Sequence, residues 1–138
     1  MPAKDTYHGA VKNALIKEGW TITHDPLFIE YGQEDMYIDL GAERLLAAER
    51  GTDKIAVEIK SFVGTSTITE LHKALGQYQI YLAELEKIDP SRRLLLALSH
   101  TTYEELSTMD TFQLVVDRFA IALLIVSVDD EEIAKWKL

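Results

Sequence analysis

The 138-residue chain contains no cysteine, only seven glycines and only three prolines. The absence of cysteine excludes disulfides, thiolate metal sites and a cysteine nucleophile. So little glycine and proline argues against a fibrous repeat or a long flexible linker. No apolar run approaches the roughly 20 residues needed to span a bilayer, and the N-terminal residues do not resemble a signal peptide. We therefore expect a cytoplasmic protein that does not enter a membrane.

Positive charge is also scarce. The chain has 14 lysines and arginines against 23 aspartates and glutamates, which gives a net charge of −9. An acidic surface repels phosphate backbones unless cations or clustered basic groups intervene. We therefore expect weak binding of nucleic acid by the isolated chain. A metal site made of carboxylates, or a charge-complementary protein partner, is compatible with this balance.

Hydrophobic periodicity divides the chain into alternating strands and helices, the pattern of an α/β domain. The composition is ordinary for a globular protein, with 47% hydrophobic and 27% charged residues. We predict one domain, residues 1–138, with a mixed sheet flanked by helices. The predicted elements are a helix at 6–18, a strand at 20–24, a short strand at 36–40, hairpin strands at 43–50 and 54–61, a helix from 67 to about 88, a strand at 94–98, a helical segment at 101–118 broken near 107–110, a strand at 121–128 and a short edge strand at 133–136.

The second hairpin strand has an unambiguous period of two. Its aliphatic face consists of Ile55, Val57 and Ile59, and its other face of Ala56, Glu58 and Lys60. Two ionisable side chains therefore share one face of a strand whose opposite face is aliphatic.

Glu58-x-Lys60, together with the upstream acids Asp39 and Glu43, is the strongest chemical signal. Carboxylates that meet at a sheet edge can hold Mg²⁺ or Mn²⁺ through hard oxygen ligands, and the carbonyl of Ile59 could add another. Lys60 would then orient a water or neutralise charge that develops on a phosphoryl group. The pattern predicts metal-assisted phosphodiester hydrolysis. The alternative is a solvated pair on a strand, because such triplets are common there.

Two further segments have local interpretations. Thr67 and Glu70 match a capping box, which predicts Thr67 as the N-cap of the helix that follows. Arg92 and Arg93 come after that helix ends, and we interpret them either as a phosphate contact or, more simply, as a solvated loop.

With the element order, Glu58-x-Lys60 resembles the third-strand motif of the PD-(D/E)xK nuclease-like superfamily, whose restriction-endonuclease-like core is αβββαβ. No Pro-Asp pair supplies the acid of the preceding strand. Glu43, fifteen residues before Glu58, fits a tight hairpin and is slightly favoured, whereas Asp39, nineteen before, would need a bulge. Gln77 and Tyr81 resemble the supporting helical glutamine and tyrosine of the RecB-like branch. Alternatively, Gln77 and Tyr81 are ordinary residues on the surface of the helix.

Segments along almost the whole chain resemble one family, XisH. Its members are fdxN-element excision controlling factors, mostly cyanobacterial. The resemblance implies that a second small factor, XisI, and a site-specific recombinase act with the protein to remove a DNA element during heterocyst differentiation. The similar segments are 1–8, 11–17, 19–26, 37–43, 47–49, 55–62 and 74–78.

Two functional hypotheses follow from the residues and the resemblance. The first is a metal-dependent endonuclease that uses Glu58, Lys60 and an upstream acid. The second is a catalytically inactive nuclease-like module that acts through an XisI-like partner and engages DNA only as part of a complex. A homodimer that pairs sheet edges near residues 121–136 is a further expectation.

Overall fold

The structure is a computed structural model, which describes residues 3–31, 34–35, 43–62 and 66–138. Four helices and eight strands occur in these ranges. In chain order they are α1 (Ala3–Lys17), β1 (Thr21–His24), β2 (Glu30–Tyr31), β3 (Glu34–Asp35), β4 (Glu43–Arg50), β5 (Asp53–Lys60), α2 (Thr67–Ile88), β6 (Arg92–Ser99), α3 (His100–Ser107), α4 (Asp110–Arg118), β7 (Leu123–Ser127) and β8 (Glu132–Lys137).

Six strands form one mixed sheet in the order β1-β4-β5-β6-β7-β8. The pairs β5–β6 and β6–β7 are parallel, and the other neighbours are antiparallel. The predicted mixed α/β fold with flanking helices is confirmed, and α1, β1, β4, β5, α2 and β6 follow the predicted order of helix, three strands, helix and strand. Strands β2 and β3 pair with each other in a separate two-stranded sheet. The hydrophobic pattern of this stretch is unclear, and no strand is predicted there. The short strand predicted at 36–40 lies outside the described residues.

The helices cover both faces of the sheet because each carries one apolar stripe. Helix α2 buries its stripe against one face, where Leu45 and Ala56 contribute to the core. Helix α1 packs on the other face, where Val57 and Ile59 are buried. Strand β6 supplies apolar side chains to both cores, as its continuous aliphatic run predicts. The face assignment read from the period of β5 is therefore confirmed.

Most predicted boundaries differ from the observed ones by one or two residues. The hairpin is tighter than predicted: Arg50 pairs with Asp53 across a two-residue turn, in which Gly51 has a φ of +61°. That left-handed backbone suits glycine, which has no Cβ. The break in the helical segment falls between Ser107 and Asp110, as predicted.

The simpler interpretation, which placed Arg92 in a solvated loop, is wrong. It is the first residue of β6, and its side chain is buried. Its Nε donates to Asp89 Oδ2 at 3.0 Å, and its Nη1 donates to the carbonyl of Ile55 at 3.0 Å. Arg92 therefore ties the end of α2 to the sheet, and only Arg93 remains exposed.

No helix within the described ranges is long and apolar enough to cross a membrane.

Candidate functional site

Glu58 and Lys60 are buried in the interior of the protein. Their side chains are 0% and 2% exposed, on the face of β5 that α2 covers. The alternative of a solvated pair on a strand is therefore wrong. Transfer of ionised groups out of water costs several kcal/mol per ion unless they are paired or bind a metal. Their burial means that this position needs a compensating contact.

Glu70 supplies one such contact for Lys60. The distance from Lys60 Nζ to Glu70 Oε2 is 3.2 Å, and the carboxylate of Glu70 is itself largely shielded from solvent. Such a short charge pair with little access to water is attractive at low effective dielectric. The helix that follows β5 therefore holds the lysine of the motif.

The position of Glu70 corrects the predicted capping box. The N-cap of α2 is Ser66, one residue before Thr67, and its Oγ accepts a hydrogen bond from Thr69 N at 3.3 Å. Glu70 is then beyond the third helical position, and its side chain contacts Lys60 instead of the helix end. Sequence reasoning missed this role. The available signal was that Glu70 lies one helical turn before the buried residue Ala74.

The hairpin register brings Glu43 beside the motif. Glu43 pairs with Lys60 across β4 and β5, and Leu45 pairs with Glu58. The predicted hairpin proximity of Glu43 is therefore confirmed for the backbone. The side chain of Glu43, and the whole of Asp39, lie outside the described part of the chain. Which of the two is the upstream acid stays a prediction.

Gln77 and Tyr81 lie on α2, which covers Glu58 and Lys60. Tyr81 is buried, so ordinary helix surface does not describe it. Gln77 is partly buried, and its Oε1 is buried without a hydrogen-bond partner among the described residues. A buried amide oxygen usually accepts a hydrogen bond, so Gln77 Oε1 could accept one from a ligand or from a polar neighbour. A supporting role for both side chains stays a prediction.

The charge of Glu58 influences a neighbouring tyrosine. The hydroxyl of Tyr78 donates a hydrogen bond to the carbonyl of Leu94 at 3.1 Å and accepts one from Ala122 N at 3.2 Å. Burial raises the pKa of Tyr78, the hydrogen bond from Ala122 lowers it, and the negative charge of Glu58 raises it further. Burial is therefore the main cause of the raised pKa of Tyr78, and the charge of Glu58 adds to it.

The predicted Mg²⁺ or Mn²⁺ ligands are only partly among the described side chains. Both carboxylate oxygens of Glu58 are buried at the end of β5, and hard oxygen donors of this kind suit either ion. In the ranges whose side chains are described, no three histidine, aspartate or glutamate groups cluster closely enough to hold a metal. The ligand set of Glu58, the Ile59 carbonyl and Glu43 or Asp39 stays a prediction.

Comparison with known proteins gives consistent matches. The family model described as XisH protein matches residues 1–134. The crystal structure of an XisH family protein from Nostoc punctiforme is 40% identical, with a TM-score of 0.89 over 97% of this chain and 100% of that one. The structure of an fdxN element excision controlling factor protein from Anabaena variabilis is also 40% identical, with a TM-score of 0.88 over 97% and 99%. No curated protein matches the chain significantly.

Proposed function

This chain belongs to the XisH family, and from that premise we propose that it controls the excision of a DNA element and that Glu58 and Lys60 form the centre of a metal-dependent phosphodiesterase site. The name of the Anabaena variabilis relative supports the first part. The second part makes the chain a nuclease-like protein of the PD-(D/E)xK type, and it rests on the residues described above.

The observation that carries the proposal is the complete burial of Glu58 beside Lys60. A buried ion pair is seldom more stable than apolar residues of the same size. Ionisable groups in such places are therefore candidates for function. The pair lies on the face of β5 whose core is otherwise apolar.

Each proposed residue has a separate task. Glu58, the carbonyl of Ile59 and either Glu43 or Asp39 would hold Mg²⁺ or Mn²⁺. The bound ion would lower the pKa of an attacking water and offset negative charge on the phosphoryl group. Lys60 would orient that water or stabilise the developing charge. Gln77 would position Lys60 or Glu58 from α2.

Isothermal titration of Mg²⁺ and Mn²⁺ tests the metal site directly. We expect binding heat in the natural protein and its loss in Glu58→Gln, which keeps the size of the side chain but removes the ligand charge. Glu105→Gln, an exposed change on α3, is the matched control and should bind as the natural protein does. Circular dichroism of each variant verifies folding.

Cleavage of supercoiled and single-stranded DNA tests the chemistry. Glu58→Gln and Lys60→Ala should each abolish Mg²⁺-dependent cleavage, whereas Glu105→Gln should retain it. Undiminished cleavage by both folded variants would sink the phosphodiesterase proposal.

A second candidate function is a nuclease-like module that binds partners without cleaving. Two observations favour it: the net charge of −9 and the contact of Glu70 with Lys60, which offsets the one cation of the motif. Such a module would bind an XisI-like protein and license a site-specific recombinase. DNA would bind to the complex, whose partner supplies the missing positive charge.

Co-expression with an XisI-like protein separates the two candidates. The module requires a stable complex with micromolar or tighter affinity, which Glu58→Gln leaves intact. A protein that cleaves DNA alone and forms no complex would contradict the module. Sedimentation of the isolated chain at several concentrations would also test the expected homodimer.

A further inference from the structure

A cavity lies at the other end of the sheet from Glu58 and Lys60. Its volume is about 490 Å³, and small-molecule sites usually have volumes of roughly 300–1,000 Å³. The walls come from the start of β5, the start of β6, the residue before β1, and β8. Lys54 on its wall is about 20 Å along β5 from Lys60, at roughly 3.3 Å per residue. The cavity is therefore separate from the site described above.

Two tryptophans form one wall of this cavity. They are Trp20 and Trp136, the only two in the chain, and their ring centroids are 5.9 Å apart with planes tilted by 35°. The guanidinium carbon of Arg50 is 4.6 Å from the centroid of the Trp20 ring. Aromatic rings and a stacked guanidinium are the surfaces on which planar heterocycles bind.

The indole nitrogen of Trp20 is an unused donor. Trp20 is 5% exposed, and its Nε1 has no hydrogen-bond acceptor among the described residues. A buried indole N–H usually has an acceptor, because an unmet donor loses its solvation without compensation. The hydrogen-bonding capacity of this nitrogen is therefore unmet by the described residues.

The cavity is also positively charged, in contrast to the chain as a whole. Arg50, Lys54 and Arg93 line it, against one acid, Asp53. Lys54 is engaged by Asp89, at 2.8 Å from Nζ to Oδ1. The guanidinium of Arg93 is exposed and has no ion pair or hydrogen bond with the described residues. Arg93 is therefore free to meet an anion.

We propose that this cavity binds a nucleotide, with its planar base against the tryptophan wall and its phosphate at Arg93. A purely apolar ligand would leave the cations unmet, and a divalent cation would be repelled by the basic residues. The same chemistry is presented by a free mononucleotide and by an unpaired nucleotide of single-stranded DNA. The proposal does not depend on the metal site at Glu58.

Tryptophan fluorescence provides the test, since both fluorophores of the chain line the cavity. We titrate thymidine monophosphate and a short oligothymidylate into the full chain, with excitation at the red edge of tryptophan absorption to avoid the bases. Saturable quenching is expected from at least one of them. Arg93→Ala should weaken that binding about tenfold, the loss of one charge-assisted contact. Arg118→Ala, a change at an exposed arginine on α4, should leave it unchanged.

Two outcomes support the proposal and identify the source of the nucleotide. Saturation by thymidine monophosphate alone indicates a free nucleotide, and saturation only by the oligothymidylate indicates single-stranded DNA. Three outcomes overturn it: no saturable quenching, inorganic phosphate binding as tightly as the nucleotide, or equal affinities of Arg93→Ala and Arg118→Ala. The nucleotide should quench the fluorescence of Glu58→Gln as it quenches that of the natural protein. The proposal for this cavity is therefore tested independently of the proposal for the metal site.

Discussion

Strand β5 carries ionisable side chains at both of its ends, and the two ends accommodate them in different ways. At the N-terminal end, Lys54 lies opposite Arg92 of β6, near solvent. At the C-terminal end, Glu58 and Lys60 lie under α2 and are almost fully withdrawn from water. One end of this strand therefore carries its charged side chains near solvent, and the other end carries them inside the protein.

The N-terminal end is explained by its hydrogen bonds. Asp89 ends α2 and accepts from Lys54 Nζ at 2.8 Å and from Arg92 Nε at 3.0 Å. Arg92 also donates to Glu49 Oε2 at 3.3 Å and to the carbonyl of Ile55. Lys54, Asp89, Arg92 and Glu49 are paired with one another, and all but Arg92 keep some access to solvent, so the network stabilises the joint between helix and sheet at small desolvation cost.

The C-terminal end keeps its charges at a higher desolvation cost, even though Glu70 pairs with Lys60 there. Withdrawal of Glu58 and Lys60 from water is expensive, and apolar residues would fill the same space. The two ends of one strand therefore differ in how far their charges are withdrawn from water.

Loss of the buried cation should give the largest effect. Lys60→Ala leaves Glu58 and Glu70 without their neighbouring positive charge inside the core. In the presence of EDTA, we expect the free energy of unfolding to fall by about 3–5 kcal/mol, as when one partner of a buried pair is removed. Urea denaturation followed by circular dichroism measures this.

The matched control is Lys73→Ala, at an exposed lysine on α2, for which a change within about 0.5 kcal/mol is expected. A double-mutant cycle of Lys60→Ala with Glu70→Ala should yield a coupling energy of about 0.5–3 kcal/mol. A loss below 1 kcal/mol for Lys60→Ala would show that the buried cation contributes little to stability and would contradict this account of the C-terminal end.

Removal of the central cation at the N-terminal end should cost less. Arg92→Ala removes the donors to Asp89, Glu49 and the Ile55 carbonyl, and water can replace part of them. We expect a loss of about 1.5–3 kcal/mol, typical of hydrogen bonds to charged groups, in the same urea measurement. Arg92→Lys should recover only part of this, because an ammonium cannot reproduce the directions of the guanidinium donors. Equal stability of Arg92→Ala and the natural protein would contradict this account of the edge.

The smallest effect is a pH dependence at the same edge. The hydrogen bond from Lys54, and then those from Arg92 and Ser91, hold the pKa of Asp89 below its usual range against the opposing effect of burial. Asp89 therefore contributes stability above its unfolded pKa of about 3.9, and that contribution is lost as the pH falls through its lower folded pKa. Asp89→Asn should cost at most about 1 kcal/mol at neutral pH.

The difference in stability between Asp89→Asn and the natural protein should narrow as the pH drops below about 4. Asp129→Asn, at an exposed turn, is the control and should remain as stable as the natural protein throughout. If the difference in stability between Asp89→Asn and the natural protein grew as the pH fell, the pKa of Asp89 could not be lowered by folding.

Local patterns predicted most of the fold correctly. The period of two in residues 54–61 identified β5 and the side chains on each face, because a strand alternates its side chains whatever surrounds it. The continuous apolar run at 94–98 identified β6 as covered on both sides. The break near Ser107 was also found, since the polar residues there interrupt the helical stripe.

The candidate site was predicted only in part. The motif Glu58-x-Lys60 and the hairpin position of Glu43 were read from spacing. Glu70 was assigned to a capping box, because spacing cannot tell whether Ser66 or Thr67 caps the helix. The start of α2 decides this, and with it the contact between Glu70 and Lys60.

The order of the elements around the main sheet, the two faces of β5 and the resemblance to XisH proteins can all be read from the residues alone. The burial of Glu58 and Lys60, the pairing of Glu70 with Lys60 and the cavity wall that two distant tryptophans share with Arg93 are visible only in the folded chain. Periodicity specifies which face of an element a side chain occupies, whereas burial depends on which other element packs over that face. That packing is set by contacts between residues far apart in the chain.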